Sequence, residues 1–267
     1  MGSYDVNDER LDPRRVQCVL VGMMFDPDYA ARVLGDAPLP ELSSRERLLL
    51  RGVDPRALGT DRYRRARAVS VLLDEFPVTA TVLGVPAVDR FFATEAFRAS
   101  VWARGSMALA CGAWIGARAH GVGRLETAIA HVRRHWAPRE SGSSGAAVAS
   151  PGRLRALVVP AGTLAYHQRA RQRLGPEPAV VLARRDVRTS ERPPQRGAEY
   201  LLVERRDDGS IDVGTGSEPL VRLLAFAHTP RSQVDLEAEA VRWGAEPDEA
   251  APLIADLVEQ GLLTVAR

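Results

Sequence analysis

The residues best able to do chemistry in this sequence are five histidines (His120, His131, His135, His167 and His228), two cysteines and a dense set of arginines. His131 and His135 stand i, i+4 apart in HVRRHW on a candidate helix, a spacing that sets two imidazoles on one face. A zinc-protease helix needs a Glu directly after the first His and a third ligand downstream. Here Val132 and Arg133 follow, and Arg133 and Arg134 would repel a cation, so the pair is expected to be structural and partly exposed. Cys18 and Cys111 lie in apolar runs, VQCVLVG and MALACGAW, and are expected to be buried free thiols. GTGSEPL leads from a strand pattern into a helix pattern, but Glu218 stands where a phosphate would sit, which leaves Ser217 as a helix cap. The sequence has no GxxxxGK[ST] loop, no dinucleotide-binding GxGxxG and no GxSxG elbow. No catalytic residue and no metal ligand are assigned, and no cofactor is expected in this chain.

All 36 basic residues are arginine, which with abundant alanine and glycine reflects a GC-rich genome more simply than selected arginine chemistry. TDRYRRARAVS carries Arg62, Arg64, Arg65 and Arg67 within one helical stretch. That cluster is either a solvated helix face or an ion-pairing surface for an acidic partner. The polar, acidic start, MGSYDVNDERLD, has no basic-then-apolar targeting pattern. The longest apolar run, SMALACGAWIGA, falls well short of the roughly 20 residues a membrane span needs. The chain is expected to be soluble and cytoplasmic, and to make no membrane contact.

The elements that must position these residues fall into two regions. The first half reads as helices. DPDYAARVLGD is one, Ser43 and Glu46 form a capping box opening SSRERLLLRGV, and Asp54-Pro55 starts another turn. In TDRYRRARAVSVLLDEF, capped by Thr60 or Asp61, the residues Tyr63, Ala66, Val69 or Ser70, Leu73 and Phe76 make an apolar stripe that Pro77 ends or bends. Further helices are expected over 85–92, 95–114 and 123–136. Residues 137–152 are rich in Gly, Ser and Pro and read as a flexible linker, so the expected domains are 1–150 and 153–267.

Beyond the linker, RLRALVVPAG, PAVVLARRDV and AEYLLVERR read as strands, and Asp207-Asp208-Gly209 as the turn of a hairpin whose second strand is SIDVGTG. RTSERPPQRGA between the second and third strand candidates is polar and expected to be mobile. Three helices follow, SEPLVRLLAFAHT, SQVDLEAEAVRWG and PDEAAPLIADLVEQG, and after Gly261 the segment LLTVA can return as a short strand or wing. The fold class expected is therefore α+β: an all-helical N-terminal domain plus a C-terminal winged-helix-like domain, a small antiparallel sheet with three helices.

Charge argues against the nucleic acid that winged helices often bind. Residues 217–267 hold four arginines against nine acids, and the last helix has acids and no base, a surface a phosphate backbone would repel. An extended peptide is a better ligand, because it can add to the exposed edge of the last strand with a neighbouring helix as the other wall. Ile211 and Val213 are the expected pairing edge, and Leu253, Asp256, Leu257 and Gln260 the helix wall, although Leu253 and Leu257 could equally be core residues.

The order of strand, strand, DDG hairpin, third strand and three helices, closing on PDEAAPLIADLVEQGLL, resembles the precursor-peptide recognition element of ribosomal natural-product (RiPP) pathways. The helical half, with DPDYAARVLGD and then RGVDPRALGTDRYRRARAVSVLLDEFPVTATVLG, is similar to the N-terminal region of partner proteins of multinuclear non-heme iron oxidases, a group that includes the partner subunit in methanobactin biosynthesis. The match rests on the arginine- and alanine-rich helix and its close at Pro77, Thr79, Val82, Leu83 and Gly84. The resemblance implies a non-catalytic subunit that binds a ribosomally made precursor peptide and presents it to a separate iron oxidase. The iron would then belong to the partner enzyme, and Arg62, Arg64, Arg65 and Arg67 would be candidates for contact with it. The long insertion around 188–197 departs from the pattern and leaves the sheet register open. A transcriptional regulator with a C-terminal winged helix is the competing reading, and a small enzyme of unrecognised type a third.

Overall fold

The computed structural model describes residues 11–59, 62–116, 118–134, 147–184 and 191–266. The protein is α+β, with a helical N-terminal region followed by two small antiparallel sheets and further helices. The helical region runs α1 (Pro13–Phe25), α2 (Pro27–Leu34), α3 (Ser44–Arg51), α4 (Pro55–Gly59), α5 (Arg62–Glu75), α6 (Pro77–Leu83), α7 (Val85–Asp89), α8 (Glu95–Ala103), α9 (Met107–Gly116) and α10 (His120–Arg133). Then come β1 (Ala147–Ala149), β2 (Leu154–Val159), α11 (Thr163–Leu174), α12 (Pro178–Arg184), β3 (Glu199–Arg205) and β4 (Ile211–Thr215). The chain closes with α13 (Glu218–Phe226), β5 (Arg231–Ser232), α14 (Gln233–Arg242), α15 (Ala250–Glu259) and β6 (Thr264–Ala266).

Local chemistry sets many of these boundaries. The Ser43–Glu46 capping box forms as its spacing dictates: the Glu46 N–H donates to Ser43 Oγ, and the Ser43 N–H to Glu46 Oε2. The expected single helix over 95–114 is instead two, α8 and α9. Arg104 takes a left-handed conformation (φ 51°), and the Gly105 N–H closes back on the Ser100 carbonyl, which stops α8 before α9 begins. In α5 only the C-terminal part of the expected stripe is core: Leu73 and Phe76 are buried, whereas Tyr63 is 87% exposed.

PAVVLARRDV corrects the sequence reading, because Pro178–Arg184 is helix and not strand. Short apolar runs fit either state, and tertiary contacts decide. Asp74 of α5 accepts the Ala179 N–H at 3.2 Å, satisfying a free donor at the helix start, while Ala179 and Leu182, three apart, pack into the cluster of Leu72, Leu73 and Phe76. α11 was not expected at all, although Tyr166, Ala170 and Leu174 recur at steps of four and are buried. Residues 185–190 and 135–146 lie outside the described residues. Of the expected linker, the described end is not loose: β1 is a buried strand. The described part of the insertion is likewise tied down, with Glu191 paired to Arg169 and Arg173 of α11.

β2, β3 and β4 form one sheet in that order, in the register Arg155↔Val203, Leu157↔Leu201 and Val203↔Val213. One face (Leu157, Val159, Leu201, Val203) packs on Leu125, Ala128 and Val132 of α10. The other (Leu154, Ala156, Leu202) packs on Val221 and Leu224 of α13. A helix of the N-terminal region thus covers the sheet of the C-terminal region, and one apolar cluster joins residues from both sides of residue 150. Buried Glu126 of α10 adds a polar tie. It accepts the Val78 and Thr79 N–H groups of α6 at 3.0 and 2.8 Å and lies 3.3 Å from His167 of α11.

The second sheet has the order β5-β1-β6. With α13, α14 and α15 it makes a winged-helix-like unit, whose central strand is supplied by β1 from far earlier in the chain. Among the described residues no helix is long and apolar enough to cross a membrane.

Candidate functional site

Among the described residues β4 is an edge strand, hydrogen-bonded to β3 on one side only. The hairpin that builds it turns through Asp207, Asp208 and Gly209, whose φ of 83° suits glycine, and closes with the Arg206 N–H donating to the Ser210 carbonyl. At the other end the Gly216 N–H donates to the Tyr200 carbonyl. These two bonds fix the phase of the ladder: Ser210, Asp212, Gly214 and Gly216 turn their backbone groups towards β3. Ile211, Val213 and Thr215 therefore turn their N–H and C=O groups to the open side. The side chains of Ile211 and Val213 point elsewhere, into the cluster beneath α10. These two residues combine a side-chain anchor with an outward-facing backbone.

The α13 face of β4 carries Asp212 and Gly214, and a Cβ added at Gly214 would meet nothing within 4 Å. Next to it Arg222 stacks on Trp243 at 4.3 Å and on Tyr200 at 5.6 Å. Glu218 closes this ladder 2.8 Å from Arg222, and the Tyr200 hydroxyl and then Arg222 hold its carboxyl below the usual range. Ser217 occupies the cap position of α13, yet its side chain makes no capping hydrogen bond. From there a cleft of about 350 Å³ runs between α13, α14 and α15, lined by Pro219, Leu220, Trp243, Glu249 and Leu253. Of the expected helix wall, Leu253 lines this cleft, while Asp256 and Gln260 are exposed. Leu257 is 5% exposed and belongs to the core with Ile254. α15 presents Asp256 and Glu259 and no base.

The arginine cluster on α5 divides. Arg65 is used within the fold: its guanidinium grips Asp89 with two bonds of 2.8 Å and also donates to the Phe25 carbonyl. Arg64 and Arg67 are exposed beside Tyr63, and the side chain of Arg62 lies outside the described residues. Next to them a groove of about 510 Å³ is lined by Ala66, Val69, Leu73, Val85 and Pro86.

A cavity of about 700 Å³ has no counterpart in the sequence reading. It opens between α9, α10, the free edge of β2 and the end of α13. Its α9 wall is kept low by Gly112 and Gly116; a Cβ at Gly112 would come within 2.8 Å of Thr127. Arg155 projects from β2 onto the α10 face, where alternation along the strand places it in phase with Leu157 and Val159. It is 9% exposed, its Nε has no hydrogen-bond partner, and no carboxylate among the described residues pairs with it. Burial alone lowers its pKa.

His131 and His228 line the same space. The His228 Nε2 accepts the Ala156 N–H at 3.0 Å, which fixes the proton on its other nitrogen. The Nδ1 of His131 is buried without a partner. Burial, then the Arg155 charge, pushes both imidazoles down to about 4, so both are neutral at pH 7. His131 thus meets Arg155 and His228; its expected companion His135 lies outside the described residues. Cys111 is buried and free as expected, its thiol pushed up to about 12 by burial, and Cys18 is free and half-buried. Among the described residues no cluster of three or more His, Cys, Asp or Glu could hold a metal. Comparison with protein-family models and with curated proteins gave no match.

Proposed function

We propose that this chain is a non-catalytic partner subunit that binds a ribosomally made precursor peptide and presents it to a multinuclear non-heme iron oxidase. The observation that carries the reading is the free edge of β4, where Ile211, Val213 and Thr215 offer a row of backbone donors and acceptors. Two residues past the end of β4, Ser217 opens an apolar cleft that reaches Leu253. A peptide strand laid on such an edge gains affinity from main-chain hydrogen bonds and specificity from side-chain pockets. An alternate side chain of the peptide would lie over the bare surface at Gly214, and an apolar one further along would fill the cleft. Asp256 and Glu259, exposed on α15 beyond the cleft, favour a neutral or basic peptide over a phosphate backbone.

The exposed face of α5 supports the partner half of the proposal. Tyr63, Arg64 and Arg67 beside an apolar groove have the aromatic and arginine character of protein interfaces, suited to an acidic surface on the oxidase. The iron would reside in that enzyme. The test is co-expression with a candidate oxidase and its precursor peptide: a complex that survives gel filtration supports the proposal, and failure of the chain to associate with either sinks it. Salt-dependent binding of duplex DNA in a mobility-shift assay would favour a transcriptional regulator instead.

A further inference from the structure

We infer that the cavity between α10 and the free edge of β2 is a binding site for a small amphipathic carboxylate, with Arg155 as its anchor. A buried guanidinium without a counter-charge is costly, because desolvation goes uncompensated. Folded chains otherwise pair such a group, and among the described residues Arg155 has no pair. Its surroundings favour an anion. The cavity lining contains Arg124, Arg155, His131 and His228 and no acid.

The chemistry narrows the ligand further. The guanidinium fork matches the two oxygens of a carboxylate. His228 must carry its proton on Nδ1, since its Nε2 already accepts from Ala156, so it is a further donor. With both imidazoles neutral at pH 7 and Arg124 solvent-exposed, Arg155 is the one buried cation of the lining. The desolvated charge next to the ligand is therefore a single one, which suits a monoanionic carboxylate better than a dianionic phosphate. Apart from Thr127, whose hydroxyl donates to the Gly123 carbonyl, the remaining walls, Gly112, Gly116 and Leu157 among them, are apolar, and the volume of about 700 Å³ accommodates a hydrocarbon body. This site lies at the opposite edge of the sheet from β4 and does not depend on the peptide reading.

The experiment titrates the full chain with hexanoate, N-acetyl-leucine, hexan-1-ol and inorganic phosphate, following the His131 and His228 ring resonances by NMR and binding by calorimetry. The site predicts that a carboxylate shifts both resonances, that hexan-1-ol and phosphate bind at least tenfold more weakly, and that Arg155→Gln weakens carboxylate binding at least tenfold. Tighter binding of N-acetyl-leucine than hexanoate would assign the site to a peptide C-terminus, and the reverse to a free acid. A second readout needs no ligand: Arg155→Met, which removes the unpaired charge, should leave the melting temperature of the free protein unchanged or raise it. Absence of carboxylate binding to the wild type, phosphate binding in preference, equal binding by Arg155→Gln, or a lower melting temperature for Arg155→Met would each overturn the inference.

Discussion

Replacing Val213 by proline separates the outer side of β4 from its inner side. The ladder phase set at Ser210 and Gly216 turns the Val213 N–H away from β3, so proline there removes no bond of the sheet. It does remove one donor from any strand added to the edge, and its ring occupies the space of the incoming carbonyl. The missing hydrogen bond is worth about 1 kcal/mol, and the steric block should bring the loss to at least ~1.4 kcal/mol, a factor of ten in affinity. Gly214→Pro is the control. Its N–H faces Leu202 across the ladder, so this change should break the sheet at a cost of roughly 3 kcal/mol. The assay is fluorescence anisotropy of a labelled candidate precursor peptide, with urea unfolding of each variant. A folded Val213→Pro protein that binds within twofold of the wild type would refute the edge-pairing argument. Equal stability of the two proline variants would refute the assignment of inward and outward residues.

Other consequences can be measured on the chain alone. Glu126→Ala strands the Val78 and Thr79 N–H groups in the core and should cost about 3–5 kcal/mol in urea unfolding, with Glu126→Gln, which keeps one acceptor oxygen, costing less. A loss below about 1 kcal/mol for the alanine variant would remove Glu126 as a tie between α10 and α6. His131 and His228 have folded-state values near 4, below their ordinary 6.5, so the unfolded chain binds more protons between those values. Their contribution is intact above pH 6.5 and is lost as the pH falls towards 4, for His228 by at most about 3 kcal/mol. Unfolding free energies in carboxylate-free buffer should decline through that window, and less steeply in His228→Gln, where only His131 still titrates there; a flat wild-type profile would contradict the burial argument. Arg65→Ala should destabilise the fold by about 1 kcal/mol through loss of Asp89. Arg67→Glu should leave stability unchanged and weaken association with an oxidase partner, and the opposite pattern would place the interface elsewhere.

The parts of this fold legible in the sequence are those decided by local chemistry. The Ser43–Glu46 box, the Asp207-Asp208-Gly209 turn and the last three helices need only nearby residues, and each forms. What escaped was decided at a distance. PAVVLAR became a helix because Asp74 caps it and α5 covers it. AVA became a central strand because β5 and β6 flank it, although it sits in a stretch whose composition reads as linker.

The same distinction runs through the sites. Ile211 and Val213 were identifiable as the strand after a strong hairpin signal, but the direction of their side chains depended on register, which the insertion before β3 concealed. Leu257 and Leu253, indistinguishable in a helix pattern, divide into core and cleft once α13 and α14 are in place. Arg155 carries no site signal in the sequence, since an arginine in an alternating strand suggests a solvent-facing position. The phase of RLRALVV in fact puts it on the α10 face with Leu157 and Val159. His131 was weighed with its helical neighbour His135, whereas His228 arrives from the far end of the chain.

The central claim is that the free edge of β4 holds a peptide for an enzyme partner. The most direct measurement is gel filtration of the chain co-expressed with an iron oxidase and its precursor peptide, wild type beside Val213→Pro. The account predicts that the wild-type complex carries the peptide, and that the variant still binds the oxidase but elutes without the peptide. A peptide retained equally by both proteins, or no complex with either, would contradict it.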